Sequence, residues 1–275
     1  MEENFRIGII GGAGKMGRLF QNFFQKKGYE VVICDKEGLS YEELMENSKV
    51  VILSLPLDVF PEVVKKIAPR VKNTHWIMDI CSLKLEPARV MKKFLIKGEL
   101  IAAHPLFGPF EKDLKGKRLA YYPLRGKNFL KWLLPLLEEE GIRTIKISPK
   151  RHDEIMALVQ VLNHFMQVLV AQTIKKTGFS INEIFSLSTP SFLKQLEILK
   201  RFAHQDENLY AHIQLDNPFG KKIRQIFCRT CKSLNRALKK EDKESFKIFV
   251  DNFLIAKDLA KELENLFALE VKEQD

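Results

Sequence analysis

Two groups of residues in this chain have the types and spacing to do chemistry. The first is Gly12-Ala13-Gly14-Lys15-Met16-Gly17, a G-x-G-x-x-G run between an apolar segment and a helical pattern. In such a run the first glycine permits a tight turn and the second lets backbone approach a pyrophosphate. The third lets the helix pack closely on the strand. The helix start then offers unpaired N–H groups and a positive dipole end to phosphates. Asp35 closes the next apolar segment, where a carboxylate can hold both ribose hydroxyls of NAD and repel the 2′-phosphate of NADP. Lys36 beside it would tolerate that phosphate and keeps NADP open.

The second group lies around His104 in Ala103-His104-Pro105-Leu106-Phe107-Gly108-Pro109, and around Ser82 in Asp79-Ile80-Cys81-Ser82-Leu83-Lys84. Oxidising an alcohol requires a group that holds the hydroxyl and accepts its proton as hydride departs. Histidine suits this, with an ordinary pKa near 6.5 and two usable nitrogens. Ser82 is placed to hydrogen-bond His104 and orient it. A loop histidine before proline is also a common structural feature, and the residues alone leave both roles open. Ser54-Leu55-Pro56 closes a third strand, where it can line the cofactor pocket or simply form a turn.

The elements that must position these groups alternate through the first half. Strands are predicted at 5–11, 30–34, 50–55, 75–80, 100–104, 118–122 and 143–147, with helices at 16–27, 41–47, 59–67 and 128–140. That order predicts an α/β fold: an N-terminal Rossmann, doubly wound, mainly parallel sheet over 1–149. From 150 to 275 the apolar residues recur at helical spacing only, as in Ile155, Leu158, Val159, Leu162 and Phe165. This predicts an all-α domain, with apolar faces that can pair with a second copy.

Composition bounds the rest. The chain has 275 residues, 45% hydrophobic and 29% charged, which is enough to bury a core. The formal charge of +10 comes from scattered lysines without a recognition motif, so nucleic acid is not the expected partner. No apolar run approaching the ~20 residues of a membrane span is evident, and the segment Met1 to Arg6 lacks a signal-peptide core; a cytoplasmic location is the expectation. Four cysteines are too few for a disulfide scaffold, and Cys228 and Cys231 form a lone CxxC inside a helical stretch, so no metal is expected.

Taken together, the motifs place the chain beside a known family. GGAGKMGRLF at 11–20, SLPLDV at 54–59, DICSLK at 79–84, HPLFGP at 104–109, RHDEIMALVQVLNHF at 151–165, LSTPSF at 187–192 and RFAHQDENLYAHI at 201–213 all resemble the prephenate dehydrogenases. The likeness is to the dehydrogenase part of the bifunctional chorismate mutase–prephenate dehydrogenases. The mutase part is absent, which implies a dehydrogenase standing alone. The resemblance implies NAD-dependent oxidative decarboxylation of prephenate to 4-hydroxyphenylpyruvate and CO₂ in tyrosine biosynthesis, by a homodimer. It implies that His104 binds the ring hydroxyl, that Ser82 supports it and that Arg201 clamps a substrate carboxylate. His152 and His164 are implied near the same cleft. Arogenate dehydrogenases share these motifs, so prephenate and arogenate both stay open as substrate. A non-catalytic NAD-binding regulatory protein is the reading from a different class.

Overall fold

The computed structural model describes residues 5–35 and 38–272, with side chains to residue 268. Lys36 and the first four residues of the N-terminal segment lie outside the described residues.

The alternation in the sequence becomes β1 (Arg6–Ile10), α1 (Lys15–Lys26), β2 (Glu30–Cys34), α2 (Tyr41–Asn47), β3 (Val50–Leu53), α3 (Phe60–Ile67), β4 (Trp76–Asp79), α4 (Leu85–Phe94), β5 (Glu99–Pro105), β6 (Arg118–Arg125), α5 (Asn128–Glu139) and β7 (Arg143–Lys146). They form one seven-stranded sheet in the order β2-β1-β3-β4-β5-β6-β7. All neighbours pair in parallel except β5 and β6. The chain runs outward from β1 to β2 and then crosses to β3 on the other side. The topological switch therefore sits between β1 and β3, where open α/β sheets bind ligands at their carboxyl ends.

Strands such as β3, buried at all four positions, read as continuous apolar runs because helices cover both sheet faces. One layer packs Phe20, Phe23 and Phe24 of α1 with Phe129 and Leu133 of α5. The opposite layer packs Leu44, Phe60, Val64 and Met91 from α2, α3 and α4. Helix α4 is absent from the elements legible in sequence. Its first turn has no side-chain cap of its own; the N–H groups of Lys84 and Leu85 instead donate to Asp153, far away in the chain, at 2.8 Å each.

After β7 the described residues form only helices: α6 (Pro149–Met156), a π-helical segment (Ala157–Leu162), α7 (Asn163–Thr177), α8 (Ile181–Ser186), α9 (Pro190–Lys200), a 3₁₀ turn (Arg201–His204), α10 (Glu207–Asp216), α11 (Gly220–Ala237) and α12 (Lys243–Lys272). Ser148, Ser180, Thr189 and Asp206 cap the helices that follow them, accepting backbone N–H groups with their side chains. β7 ends at Lys146 and α6 begins at Pro149, while the compact units divide after Lys221. The physical reason is that α6 and α10 are bonded into the sheet body through Asp153 and Asn217.

One sequence expectation changes. The continuous run Pro149–Thr177 has the length and composition of a membrane-crossing helix, because the π segment joins α6 and α7 without a break. Its buried polar residues His152, Asp153 and Gln167 are bonded within the fold. In the second unit, α12 carries Phe246, Phe249, Phe253, Leu254 and Phe267 exposed.

Candidate active site

The glycine loop bridges β1 and α1 at the sheet's carboxyl edge. The left-handed backbone falls at Gly11, one residue before the motif, with φ +80°. A Cβ there would lie 2.1 Å from the Ser54 carbonyl oxygen, so this position requires glycine twice over. Gly17 is closed as tightly: its Cβ would stand 2.4 Å from the Gly11 oxygen and 2.8 Å from the Gly12 Cα. At Gly12 a Cβ would strike Ile33 at 2.5 Å. Gly14 differs, since the only neighbour a Cβ would meet within contact range is the Gly11 oxygen at 3.2 Å. Gly14 is also the N-cap of α1 and supplies no side-chain cap. The first N–H groups of that helix, at Lys15, Met16 and Gly17, have no intrahelical acceptor by helix geometry. A dinucleotide's pyrophosphate fits this open, positively polarised turn.

Asp35, at the end of β2, accepts the Ala13 N–H with Oδ2 at 3.1 Å. The carboxylate is therefore tied to the glycine loop. Ser54 donates its N–H to the Ile10 oxygen at 2.9 Å, which joins the ends of β1 and β3. Leu55 accepts from Cys81 Sγ at 3.6 Å, and Pro56 is exposed. The Lys15 side chain does not lie idle: its Nζ donates to the His204 oxygen at 3.2 Å and stands 5.0 Å from the Phe110 ring centre.

Along the same edge the register runs Ile10, Leu53, Asp79 and Ala102, and His104 follows two residues on in β5. His104 is 4% exposed, and its Nδ1 lies 2.9 Å from His152 Nε2. His152 Nδ1 in turn lies 2.7 Å from Asp153 Oδ1. Burial, reinforced by His152 and then Lys84, holds the His104 pKa well below its ordinary value, so the ring is neutral near physiological pH. Beside it, buried Lys84 donates from Nζ to Asp79 and to the Ala103 oxygen. Burial raises the Asp79 pKa against the pull of Lys84. Ser82, expected as the partner of His104, makes no hydrogen bond to it among the described residues; His152 takes that place.

Beyond the π segment, His164 stacks on Tyr210, with ring centres 4.1 Å apart. Burial and then the nearby Arg201 guanidinium lower the His164 pKa to about 4. Its Nδ1 is buried without a hydrogen-bond partner among the described residues. These two rings line a cavity of about 380 Å³ with Val168, Phe202, Gln205 and Gln214. Arg201 is exposed at the 3₁₀ turn and makes no ion pair among the described residues. A π segment widens the helix by one residue per turn and frees carbonyls. Gln214 Nε2 bonds one of them, Val161 O, at 2.7 Å. Neither His104 nor the glycine loop is among the residues lining this cavity, and the site side chains touch one another in two sets. His104, His152 and Asp153 form one; His164, Tyr210 and Arg201 form the other.

Sequence reasoning missed Asp153, Lys84 and Tyr210. The signals were weak: Asp153 follows a histidine at a helix start, and Tyr210 sits in a helix with no apolar stripe of note. Cys228 and Cys231 lie on α11, the first half-exposed and the second exposed. Among the described residues no group of His, Cys, Asp or Glu is arranged to hold a metal.

Residues 16–146 match the family model for the prephenate dehydrogenase nucleotide-binding domain, and residues 148–251 that for its dimerization domain. A probable arogenate/prephenate dehydrogenase of Methanocaldococcus jannaschii is 30% identical over 262 residues, covering 88% of this chain and 59% of that protein. The T-protein of Enterobacter agglomerans is 27% identical over 239 residues, covering 86% and 64%. The chain thus spans about three fifths of the length of these curated relatives. Among solved structures, prephenate dehydrogenase of A. aeolicus, in complex with hydroxyphenyl propionate and NAD⁺, superposes with a TM-score of 0.72 at 20% identity, covering 93% of this chain and 98% of that one. With both halves matched, the chain belongs to the prephenate dehydrogenase family.

Proposed function

We propose that this protein oxidises and decarboxylates prephenate with NAD⁺ to give 4-hydroxyphenylpyruvate and CO₂, as a cytoplasmic enzyme of tyrosine biosynthesis. The observation that carries the reading is His104. It is a neutral, buried imidazole on the carboxyl edge of the sheet that carries the nucleotide loop. A neutral ring is what a proton acceptor needs.

The glycine loop from Gly12 to Gly17 would hold the pyrophosphate by backbone N–H groups, and Asp35 would hold the ribose and disfavour a 2′-phosphate. Ser54, Leu55 and Pro56 would line the same groove. When bound, NAD⁺ supplies the hydride acceptor. His104 takes the proton of the ring hydroxyl as the C–H bond is oxidised. The ring's C–CO₂⁻ bond breaks, its electrons complete the aromatic ring, and His104 returns the proton to the phenolic oxygen. Arg201, a fork with five donors, binds a substrate carboxylate bidentately. His164 and Tyr210 form the wall beside it, and Ser82 lies on the loop leading to Lys84.

Arogenate is the alternative substrate, and it keeps the same ring chemistry. We also propose a homodimer: the apolar residues exposed on α7 and α12 form faces of the kind that monomers rarely leave open. The deciding experiment supplies prephenate and arogenate separately, each with NAD⁺ and NADP⁺, and follows reduced nicotinamide by absorbance. Turnover fastest with prephenate and NAD⁺ supports the reading; no turnover with any pair, from folded protein that binds NAD⁺, sinks it.

A further inference from the structure

The three residues behind the proposed acceptor form a directed chain, and its direction can be worked out from one end. Asp153 is 1% exposed. Its Oδ1 accepts the Lys84 N–H at 2.8 Å, and its Oδ2 accepts the Leu85 N–H at 2.8 Å. Both oxygens are thus acceptors, and the bond between Asp153 Oδ1 and His152 Nδ1, 2.7 Å long, requires the proton to sit on Nδ1. With that single ring proton, His152 has a bare Nε2. That nitrogen can only accept, so the 2.9 Å contact to His104 requires a proton on His104 Nδ1. What remains bare on His104 is Nε2, which has no protein partner among the described residues.

We propose that His152 and Asp153 are positioning residues that fix His104 in its Nδ1–H tautomer, so that Nε2 is the nitrogen presented to the substrate hydroxyl. The inference rests on the reading of His104 as proton acceptor. His152 is itself 1% exposed and has both ring nitrogens engaged, so it acts through His104 and not on substrate. When His104 takes the proton, its positive charge is passed no further. It is stabilised through His152 Nδ1–H by the Asp153 carboxylate. The same carboxylate caps α4, so the orientation of the ring pair is locked to the sheet. Asn217 Nδ2 donates to the Asp153 carbonyl oxygen at 2.9 Å and holds α6 from the other side.

The first test needs no variant. In ¹⁵N-histidine-labelled protein, with six histidines and the His104 signals assigned by their loss in His104→Asn, the wild type at about pH 8 should show Nδ1 protonated and Nε2 bare. A proton on Nε2 overturns the proposal. The second test separates positioning from simple packing. His152→Phe should lower kcat about 100-fold with both KM values within about threefold, and release His104 to the other tautomer. His152→Gln, whose amide can accept from His104 and donate to Asp153, should recover kcat to within about tenfold. Equal kcat in wild type and His152→Phe overturns the proposal. A wild type with the expected tautomer but no turnover on any substrate would instead overturn the proposed reaction and leave the tautomer assignment standing.

Discussion

The glycine loop and the His104 cluster sit on one sheet edge and are built on opposite logic. The loop works by what is missing. At Gly11 and Gly17 a side chain would strike backbone oxygen at 2.1 and 2.4 Å, and the exposed product is bare N–H groups. The His104 cluster works by what is present: three buried side chains from two distant elements, each holding the next by one nitrogen or oxygen. A site made of backbone is fixed by local chain geometry, whereas a site made of side chains depends on two halves of the fold meeting correctly. Damage should therefore look different in each. At Gly17 of the loop, binding and folding fail together; in the cluster, chemistry fails while binding survives.

The largest effect should come from the cluster. His104→Asn keeps a polar side chain of similar reach but has no basic nitrogen, and kcat should fall about 1,000-fold with NAD⁺ affinity unchanged. Stopped-flow hydride transfer together with fluorescence titration of the cofactor measures both. A variant with near-normal kcat would remove His104 from the chemistry and collapse the contrast. Arg201→Gln should come next. It deletes the fork that no carboxylate of the described residues occupies, and KM for the substrate should rise about 10- to 100-fold with a smaller change in kcat. An unchanged KM would move the carboxylate site elsewhere.

The loop offers a sharper contrast within itself. Gly17→Ala pushes a Cβ into backbone on two sides, so thermal stability and cofactor affinity should both drop, with unfolding destabilised by about 2–3 kcal/mol. Gly14→Ala meets only one oxygen at 3.2 Å, so melting should change little while NAD⁺ binding weakens by about tenfold, because the new methyl occupies phosphate space. Differential scanning calorimetry beside isothermal titration distinguishes the two. Equal losses of stability would mean that Gly14 too is a packing glycine.

How much of this was legible in sequence follows from the same contrast. The loop, Asp35 and the strand alternation were readable because each is encoded within about 30 residues and obeys a fixed period. Even so, the left-handed position at Gly11 escaped, since the motif begins one residue later. His104 was visible as a candidate, but its partner was not: sequence proximity to a strand end favoured Ser82, and the fold supplied His152 from α6. Helix α4 was missed for the same reason, since its cap comes from Asp153. The antiparallel turn to β6 left no local signal, and the apolar run joining α6 and α7 was longer than spacing suggested. Arg201 and His164 were readable only through resemblance. Surface arginines and mid-helix histidines are common, and only the stack with Tyr210 marks this one out.

The smallest predicted effect tests that second cluster without any substrate. His164 has a folded pKa of about 4, lowered by burial and by Arg201, against about 6.5 for an unfolded histidine. Between those values the unfolded chain binds a proton that the folded chain refuses. Stability therefore falls as pH drops from about 6.5 toward about 4 and loses nothing further from this group below that. The sign is the reverse of a histidine stabilised by a carboxylate, which would lose stability as pH rises. Replacing His164 with Gln removes the titrating group but keeps a side chain that can lie against Tyr210. The melting temperature of His164→Gln, measured across that window, should decline less steeply than that of wild type. Parallel slopes would mean that His164 titrates like an exposed residue, and the wall beside Arg201 would then be open to water before any substrate arrives.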